Sequence, residues 1–317
     1  MYREGDKRAY GVELVDLNDD EILDWMYLVP GEDYSLKVRL GHKHGFGPEV
    51  SFDISLSSFP TPYGQSSDGK RKKFCSIDSL SREAVVFSFS FEKNKISAKP
   101  FELISFDVFS TTNKESCWTM GDFNQDGIDE LVAASPEKGE VLHLLSNKEG
   151  FSGMIDSSPS MRGIGQLSAI NQKGKTNLLV LSSEEEMLGI AEYSRESGFS
   201  FPYMIKVEGV PLAALPSVTG KQKDDKILVL CEQDSDFILM TFVGSENGSG
   251  YEAKNQYEIE ELRREPDSLF SCDLNGDDLQ DVLILSNRDA PVILLADQKD
   301  GWQSVAQDSV VRKSFIC

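Results

Sequence analysis

Oxygen-bearing side chains recur at a fixed spacing in the stretch from Gly121 to Leu131, which reads G-D-F-N-Q-D-G-I-D-E-L. Carboxylate, amide and carbonyl oxygens in this order are ligands that suit Ca²⁺, and Gly127 supplies the left-handed turn that wraps the chain around a cation. The sequence therefore predicts a calcium loop. Its predicted ligands are Asp122, Asn124, Asp126, the main-chain carbonyl of Ile128, and Glu130.

The elements on either side of this loop are predicted to be strands rather than helices. An EF-hand would need a bidentate glutamate at the twelfth position, where this chain has Ala133. The last ligand, Glu130, leads straight into the apolar run Leu131 to Ala134. A loop that continues into such a run is typical of a hairpin between two strands.

Two further stretches keep the ligand positions, and together the three predict up to three calcium ions. In the stretch that begins at Asp273, Asp278 stands where the first loop has Gly127. In the stretch that begins at Asp16, Glu21 stands at that position. A fourth stretch, Ile170 to Asn177, has Lys173 at a ligand position and is expected to bind no metal. The ligands predicted in the two additional loops are Asp273, Asn275, Asp277, Leu279 and Asp281, and then Asp16, Asn18, Asp20, Ile22 and Asp24.

The loops belong to a longer repeat. Short apolar strands begin at Asp24, Glu83, Glu130, Asn177, Lys226 and Asp281, which are 47 to 59 residues apart. A glycine followed by an aromatic residue recurs between them, at Gly45-Phe46, Gly150-Phe151, Gly198-Phe199, Gly250-Tyr251 and Gly301-Trp302. This period is typical of four-stranded propeller blades. Only the second copy lacks the glycine-aromatic pair.

The pattern predicts an all-β protein, a single β-propeller domain over residues 1–317 with six four-stranded antiparallel blades, or seven if another is needed. The predicted blades cover residues 9–57, 74–113, 114–161, 162–210, 211–264 and 265–317. An insert loop is predicted at 57–73 from its Pro, Gly and Ser content. Helix is limited to a turn or two within 258–264.

At these residues the sequence resembles the FG-GAP or VCBS repeat family, the blade unit of integrin-α-type β-propellers. The resemblance implies a circular array of blades and calcium between the first and second strands of a blade. It also implies adhesion, recognition or sugar binding, in a secreted, periplasmic or cell-surface protein. Integrin-type propellers carry seven blades, so a blade would lie outside this chain or the ring would close with six.

The composition of the chain limits the kinds of partner and site that can be expected. The formal net charge is −21 and the sequence pI is about 4.5, which disfavours binding to nucleic acid or to anionic membranes. The five cysteines show no C-x-x-C spacing, so neither a zinc site nor a disulfide framework is indicated. No apolar stretch is long enough to span a membrane, and the N-terminus lacks the apolar segment of a signal peptide.

Acidic residues also mark the predicted turns between the second and third strands of each blade. They are either solvated turns or a docking surface for a cationic partner, whose binding would depend on salt. The residues of this predicted ligand surface are Glu32, Asp33, Glu137, Glu184, Glu185, Glu186, Asp234, Asp236 and Asp289.

No nucleophile elbow, phosphate loop or His-Glu metal motif occurs in the sequence. The expected function is therefore non-enzymatic: a calcium-binding propeller that recognises a protein or a glycan or serves as a scaffold, as a monomer or as part of a larger chain. The alternatives are a carbohydrate-active propeller resembling polysaccharide lyases, and a lectin. Fold alone does not choose among them.

Overall fold

Strands are the only regular elements in the part of the chain that the computed structural model describes. That part is the whole sequence except residues 1–2, 5–6, 9, 19, 21, 30–35, 53–60, 66–71, 79–82, 93–94, 106–116, 136–137, 148–149, 217–225, 246–249, 267, 278, 287–289, 298–300 and 306–317. The helical turn predicted within 258–264 is one turn closed by a hydrogen bond from the Leu262 N–H to the Ile259 carbonyl. None of the described segments is a helix long and apolar enough to cross a membrane.

Within the described residues, thirty strands follow one another. They are Arg3–Glu4 (β1), Lys7–Arg8 (β2), Tyr10–Val15 (β3), Asp24–Leu28 (β4), Leu36–Arg39 (β5), Gly41–His42 (β6), Gly45–Phe46 (β7), Val50–Phe52 (β8), Thr61–Gln65 (β9), Lys72–Asp78 (β10), Glu83–Glu92 (β11), Lys95–Ser105 (β12), Trp118–Gly121 (β13), Glu130–Ser135 (β14), Glu140–Asn147 (β15), Gly150–Pro159 (β16), Ile164–Gln172 (β17), Lys175–Ser182 (β18), Met187–Ala191 (β19), Tyr193–Ser194 (β20), Gly198–Phe199 (β21), Tyr203–Ile205 (β22), Val210–Pro216 (β23), Lys226–Gln233 (β24), Asp236–Gly244 (β25), Tyr251–Glu258 (β26), Ser268–Cys272 (β27), Asp281–Leu285 (β28), Val292–Ala296 (β29) and Trp302–Ser304 (β30).

Six four-stranded sheets account for most of these strands, and in each sheet neighbours in sequence are neighbours in space. We number the sheets in chain order: sheet 1 is β3-β4-β5-β8, sheet 2 is β9-β10-β11-β12, sheet 3 is β13-β14-β15-β16, sheet 4 is β17-β18-β19-β22, sheet 5 is β23-β24-β25-β26 and sheet 6 is β27-β28-β29-β30. Small two-stranded pairs, β6-β7 and β20-β21, separate the third and fourth strands of sheets 1 and 4. The predicted succession of all-β, four-stranded antiparallel blades is confirmed.

The glycine-aromatic pairs mark the approach to the fourth strand. Gly150, Tyr251 and Trp302 begin the fourth strands of sheets 3, 5 and 6, and Gly250 has φ +140°. Phe199 is buried in its sheet pair, whereas Phe46 is largely exposed. The pairs therefore work as turn signals in the repeat, and only some of their rings fill the core.

Sheet 2 differs from the prediction by one strand. The strand that begins at Glu83 is its third, not its second, because Thr61–Gln65 and Lys72–Asp78 come before it in the sheet. The insert loop predicted at 57–73 is wrong at residues 61–65 and 72–73, which are strand residues of sheet 2. The rest of that prediction, residues 57–60 and 66–71, lies outside the described residues. Pro62 and Gly64 gave the loop signal, but proline is tolerated on an edge strand, where its missing N–H breaks no ladder.

The chain divides into two compact units. The first contains residues 1–116, 127–131 and 144–156, and the second contains residues 117–126, 132–143 and 157–317. In the first unit, apolar residues of sheets 1 and 2 share one core, in which the rings of Phe74 and Phe87 stack at 5.6 Å and Phe52 meets Phe89 at 5.3 Å. In the second unit, neighbouring sheets bury apolar clusters around Leu178 and Val180, around Ile227 and Val229, and around Leu228 and Leu230.

Candidate metal centre

The loop from residue 122 to 129 joins the first two strands of sheet 3, as predicted. Oxygens of Asp122, Asp126 and Glu130 all lie within 4.8 Å of one another. The chain turns through two left-handed residues, Gln125 at φ +60° and Gly127 at φ +83°. The Asp126 N–H donates to Asp122 Oδ1 at 2.9 Å, which fixes the first and fifth loop positions together.

These three carboxylates could hold a hard cation. Glu130 is fully buried and Asp122 is half-buried, while Asp126 is exposed. Burying a carboxylate beside two others is costly unless positive charge balances them. Asn124 and the Ile128 carbonyl belong to the same loop and complete the predicted oxygen set. Such a set suits Ca²⁺ and provides neither the thiolate nor the imidazole ligands typical of zinc.

The loops of sheets 1 and 6 repeat the first-to-fifth hydrogen bond of this turn. The Asp20 N–H donates to Asp16 Oδ1 at 3.2 Å, and the Asp277 N–H donates to Asp273 Oδ1 at 3.2 Å. The amides of the two loop asparagines also donate to the fifth-position aspartates, Asn18 to Asp20 at 3.0 Å and Asn275 to Asp277 at 2.9 Å. The three loops thus share one backbone design.

The fourth loop position is left-handed in two of the loops. Gln125 has φ +60° there and Gly276 has φ +79°. Sequence reasoning had placed the glycine requirement at the sixth position only, where sheet 6 has Asp278, which lies outside the described residues. Gly276 therefore meets a requirement of the turn that the sequence comparison had not identified.

The three loops differ in the residue at their ninth position. In sheets 1 and 6 it is a fully buried aspartate whose two oxygens accept main-chain hydrogen bonds. Asp24 accepts from Leu17 and Gly41, both at 2.8 Å, and Asp281 accepts from Leu274 at 2.8 Å and Ala296 at 2.9 Å. Asp281 therefore clamps the start of its loop to the third strand of sheet 6, and Asp24 clamps the start of its loop to β6, which follows the third strand of sheet 1.

In sheet 3 the ninth residue is Glu130, whose side chain is one methylene longer. Among the described residues, the group of Asp122, Asp126 and Glu130 is the only one in which three or more metal-ligating side chains come this close together. The ligand sets predicted at Asp16, Asp20 and Asp24 and at Asp273, Asp277 and Asp281 are not gathered in the same way. Those two sites, with Ile22 and Leu279 as carbonyl ligands, stay predictions.

Stability should depend on pH through Asp24. Burial raises the pKa of its carboxyl above the ordinary value of 3.8, against the opposing hydrogen bonds from Gly41 and Leu17, and the nearby Asp20 and Asp16 add to the rise. The stabilisation from the neutral acid is thus complete below about pH 4 and is lost as the pH rises through the folded pKa.

In chelator, we expect the melting temperature of the wild type minus that of Asp24→Asn to decrease as the pH is raised from about 4 to about 7. Thermal melts in matched buffers measure it. A difference that grows with pH would contradict the raised pKa.

The sheet 3 loop is held from the neighbouring sheet. The Arg195 guanidinium donates to the main-chain carbonyl of Asn124 at 3.2 Å, and the Gln125 amide donates to the carbonyl of Gly174 at 3.3 Å. Lys173 and Gly174, with φ of +50° and +81°, form a two-residue turn that joins β17 to β18 directly. Sheet 4 therefore carries this short turn where sheets 1, 3 and 6 have a ligand loop.

A buried histidine lies behind the same loop. His143 is fully buried, and its ring centre lies 4.7 Å from that of Tyr193 and 5.3 Å from that of Phe199. Phe123, the second residue of the loop, packs on Phe199 at 5.1 Å. Sequence reasoning did not identify this cluster, because its members come from three separate hairpins. It anchors the loop to sheet 4 through packing.

The predicted ligand surface is described in part. Glu184, Glu185 and Glu186 lie in the turn between β18 and β19. Asp234 lies in the turn between β24 and β25, and Asp236 begins β25; all five are exposed. Glu185 accepts a hydrogen bond from the Arg162 N–H at 3.1 Å. Glu32, Asp33, Glu137 and Asp289 lie outside the described residues. The five described members are thus connections between second and third strands, as predicted.

The fold is that of known β-propeller-like structures. No protein-family model and no curated protein matches the sequence. A solved protein from Lactobacillus plantarum superposes with a TM-score of 0.56 at 10% identity, covering 93% of this chain and 83% of that one. A functionally unknown protein from Desulfotomaculum acetoxidans gives 0.53 at 11% identity, covering 92% and 78%.

A third solved structure, BBS1N in complex with ARL6DN, gives a TM-score of 0.53 at 13% identity, covering 92% of this chain and 79% of that one. At these identities the likeness concerns the fold alone. The protein is an all-β β-propeller built of four-stranded antiparallel blades. The resemblance to FG-GAP and VCBS repeats stays a prediction from the sequence.

Proposed function

We propose that this protein is a non-enzymatic, calcium-binding β-propeller that recognises a macromolecular partner. The observation that carries the calcium part is the gathering of Asp122, Asp126 and Glu130 within 4.8 Å, with Glu130 fully buried. A cation there would offset the mutual repulsion of the carboxylates and tie the first strand of sheet 3 to the second. We assign the ion a structural role, because its proposed ligands all belong to one loop that joins two strands of a sheet.

The proposed location is the cell surface, the periplasm or the extracellular medium. Flexible oxygen-ligand loops in extracellular modules bind Ca²⁺ with dissociation constants of about 10⁻⁴ to 10⁻³ M. Such a site fills where calcium is millimolar. It would stay largely empty at the low calcium concentrations to which cytosolic sensors respond.

A protein is the partner that we propose first. One structure of similar fold, BBS1N, was solved with a protein bound to it. The net charge of −21 disfavours anionic ligands, including acidic polysaccharides. A framework of paired strands with charged turns at one end of sheets 4 and 5 suits recognition by a preformed surface.

Calcium-dependent melting tests the proposal. At ten times the dissociation constant, one occupied site adds about 1.4 kcal/mol to the free energy of unfolding. For a chain of this size we expect a rise in melting temperature of about 2–5 °C for each filled site, relative to chelator. Magnesium at the same concentration serves as the control, since it demands a smaller octahedral site.

A melting temperature that is the same in calcium and in chelator would contradict the calcium part of the proposal. Release of unsaturated products from an acidic polysaccharide would overturn its non-enzymatic part. Saturable binding on a glycan array, with none to proteins, would replace the protein partner by a sugar.

A further inference from the structure

A cavity of about 310 Å³ opens among the first strands of sheets 4, 5 and 6. Its volume lies at the lower end of the range for ligand pockets, about 300 to 1,000 Å³. We call it the anchor cavity. The lining residues that matter here are Gln166, Leu181, Leu212, Leu215, Leu269 and Phe270.

The anchor cavity has a fixed frame. The side-chain amide of Gln166 in β17 donates to the Ala214 carbonyl at 2.5 Å, and its Oε1 accepts from the Ala214 N–H at 2.9 Å. This amide pairs with β23 much as another strand would, and so sets the spacing between sheets 4 and 5. Because these hydrogen bonds already hold the wall in place, a ligand that binds in the cavity causes a smaller loss of conformational entropy.

One side of the anchor cavity is formed by apolar side chains and is partly open, while polar atoms contribute more of the exposed lining as a whole than apolar atoms do. Leu212, Leu215 and Leu269 are half-buried and pack against the core shared by sheets 5 and 6. Phe270 is 50% exposed. An aromatic ring left half in water at the edge of a cavity gains free energy when an apolar group covers it.

The end of the sheets on which the cavity opens is strongly acidic. Ser183, which lines the cavity, begins the turn that contains Glu184 and Glu186. The turns and connections at this end of sheets 4 to 6, residues 160–163, 183–186, 206–209, 232–236 and 258–266, carry eleven carboxylates and four cationic side chains. A cavity with one apolar side, beside this excess of negative charge, complements a ligand that is apolar at one point and basic around it.

We infer that the anchor cavity binds a basic segment of a partner protein and receives one large apolar side chain of that segment. The inference rests on the proposed recognition function and names its site and the chemistry of its partner. The apolar side chain would cover Phe270 and the three leucines. The flanking lysines or arginines would face Glu184, Glu186 and Asp234.

The test uses the full chain in calcium and a fluorescent synthetic peptide with one tryptophan flanked on both sides by lysines. Control peptides replace the tryptophan by serine, or every lysine by glutamate. We expect the tryptophan peptide to bind about tenfold more tightly than the serine peptide, which corresponds to about 1.4 kcal/mol. The glutamate peptide should not bind.

Matched variants locate the binding. Phe270→Ala should weaken the tryptophan peptide about tenfold, whereas Phe201→Ala, which removes a ring that is 56% exposed outside the cavity, should leave it unchanged. Phe270→Lys, which sets a cation at the cavity mouth, should weaken it further. Replacing Glu184 and Glu186 together by glutamine should reduce both affinity and salt dependence, and the same change at the exposed Glu196 and Glu252 should not.

Three results would overturn the inference: equal losses in Phe270→Ala and Phe201→Ala, equal binding of the tryptophan and serine peptides, or no saturable binding by any peptide. Calcium-dependent melting is measured on the same samples. If the calcium response is present while peptide binding fails, the inference fails and the proposed calcium function stands. If the calcium response itself is absent, the proposed function fails on separate grounds.

Discussion

Asp126→Asn is expected to raise the melting temperature in chelator and to remove the rise that calcium causes. Without an ion, three carboxylates within 4.8 Å repel one another, and neutralising one relieves that repulsion. With calcium, the same change removes a charged ligand. Asparagine has nearly the same shape as aspartate. The hydrogen bond to Asp122 is donated by the main-chain N–H of residue 126, so the substitution keeps it. Relative to the wild type, Asp126→Asn should therefore be more stable in chelator and less stable in calcium.

Melting curves of the wild type and the variant, each in chelator and in millimolar calcium, measure this crossover. Asp236→Asn is the matched control, because Asp236 is also exposed but lies in sheet 5, beside a turn between second and third strands and away from any ligand loop. It should behave as the wild type does in both buffers. Equal calcium responses in the wild type and Asp126→Asn would mean that the sheet 3 loop does not bind the ion.

Asp281→Ala is expected to lower the free energy of unfolding by about 2–5 kcal/mol, with or without calcium. Its two carboxylate oxygens accept the main-chain N–H groups of Leu274 and Ala296 in a fully buried position. Alanine would leave both donors without an acceptor, and each buried, unsatisfied donor costs about 1–3 kcal/mol.

Asp277→Ala provides the comparison in the same loop. Asp277 is exposed and its oxygens cap neighbouring groups at the surface, so its loss should cost less than about 1 kcal/mol in chelator. Urea unfolding of both variants, with and without calcium, gives the values. A loss in Asp281→Ala that appears only in calcium would show that Asp281 serves as a ligand and not as a clamp.

Much of the repeat can be predicted from sequence because two independent signals agree in most blades. The apolar run of the second strand and the glycine-aromatic pair near the start of the fourth strand fix the register of sheets 1, 3, 4, 5 and 6. Sheet 2 lacks the glycine-aromatic pair, and its apolar run at Glu83 is the third strand, not the second. Its first strand contains Pro62 and Gly64, which local propensity assigns to a loop, and only pairing with Lys72–Asp78 makes it a strand. Tertiary context overrides propensity there.

The candidate site is predictable in its residue types but not in its geometry. Three loops carry the same pattern of oxygen-bearing residues, yet only the one that ends in Glu130 brings three carboxylates together among the described residues. The ninth residue is glutamate in this loop and aspartate in the other two, and the side chain of Glu130 is longer by one methylene. The anchor cavity carries no local signal, because its walls come from strands about fifty residues apart.

The hydrogen bonds between the sheet 3 loop and the sheet 4 region limit where the chain can be truncated without disturbing the loop. A fragment that ends near residue 161 would keep every predicted ligand of the loop. It would nevertheless lose Arg195, which holds the Asn124 carbonyl, and Gly174, which accepts from Gln125. It would also lose Tyr193 and Phe199 from the ring cluster around His143. The shortest piece worth expressing for metal titration therefore extends through Ile205, the end of the next sheet.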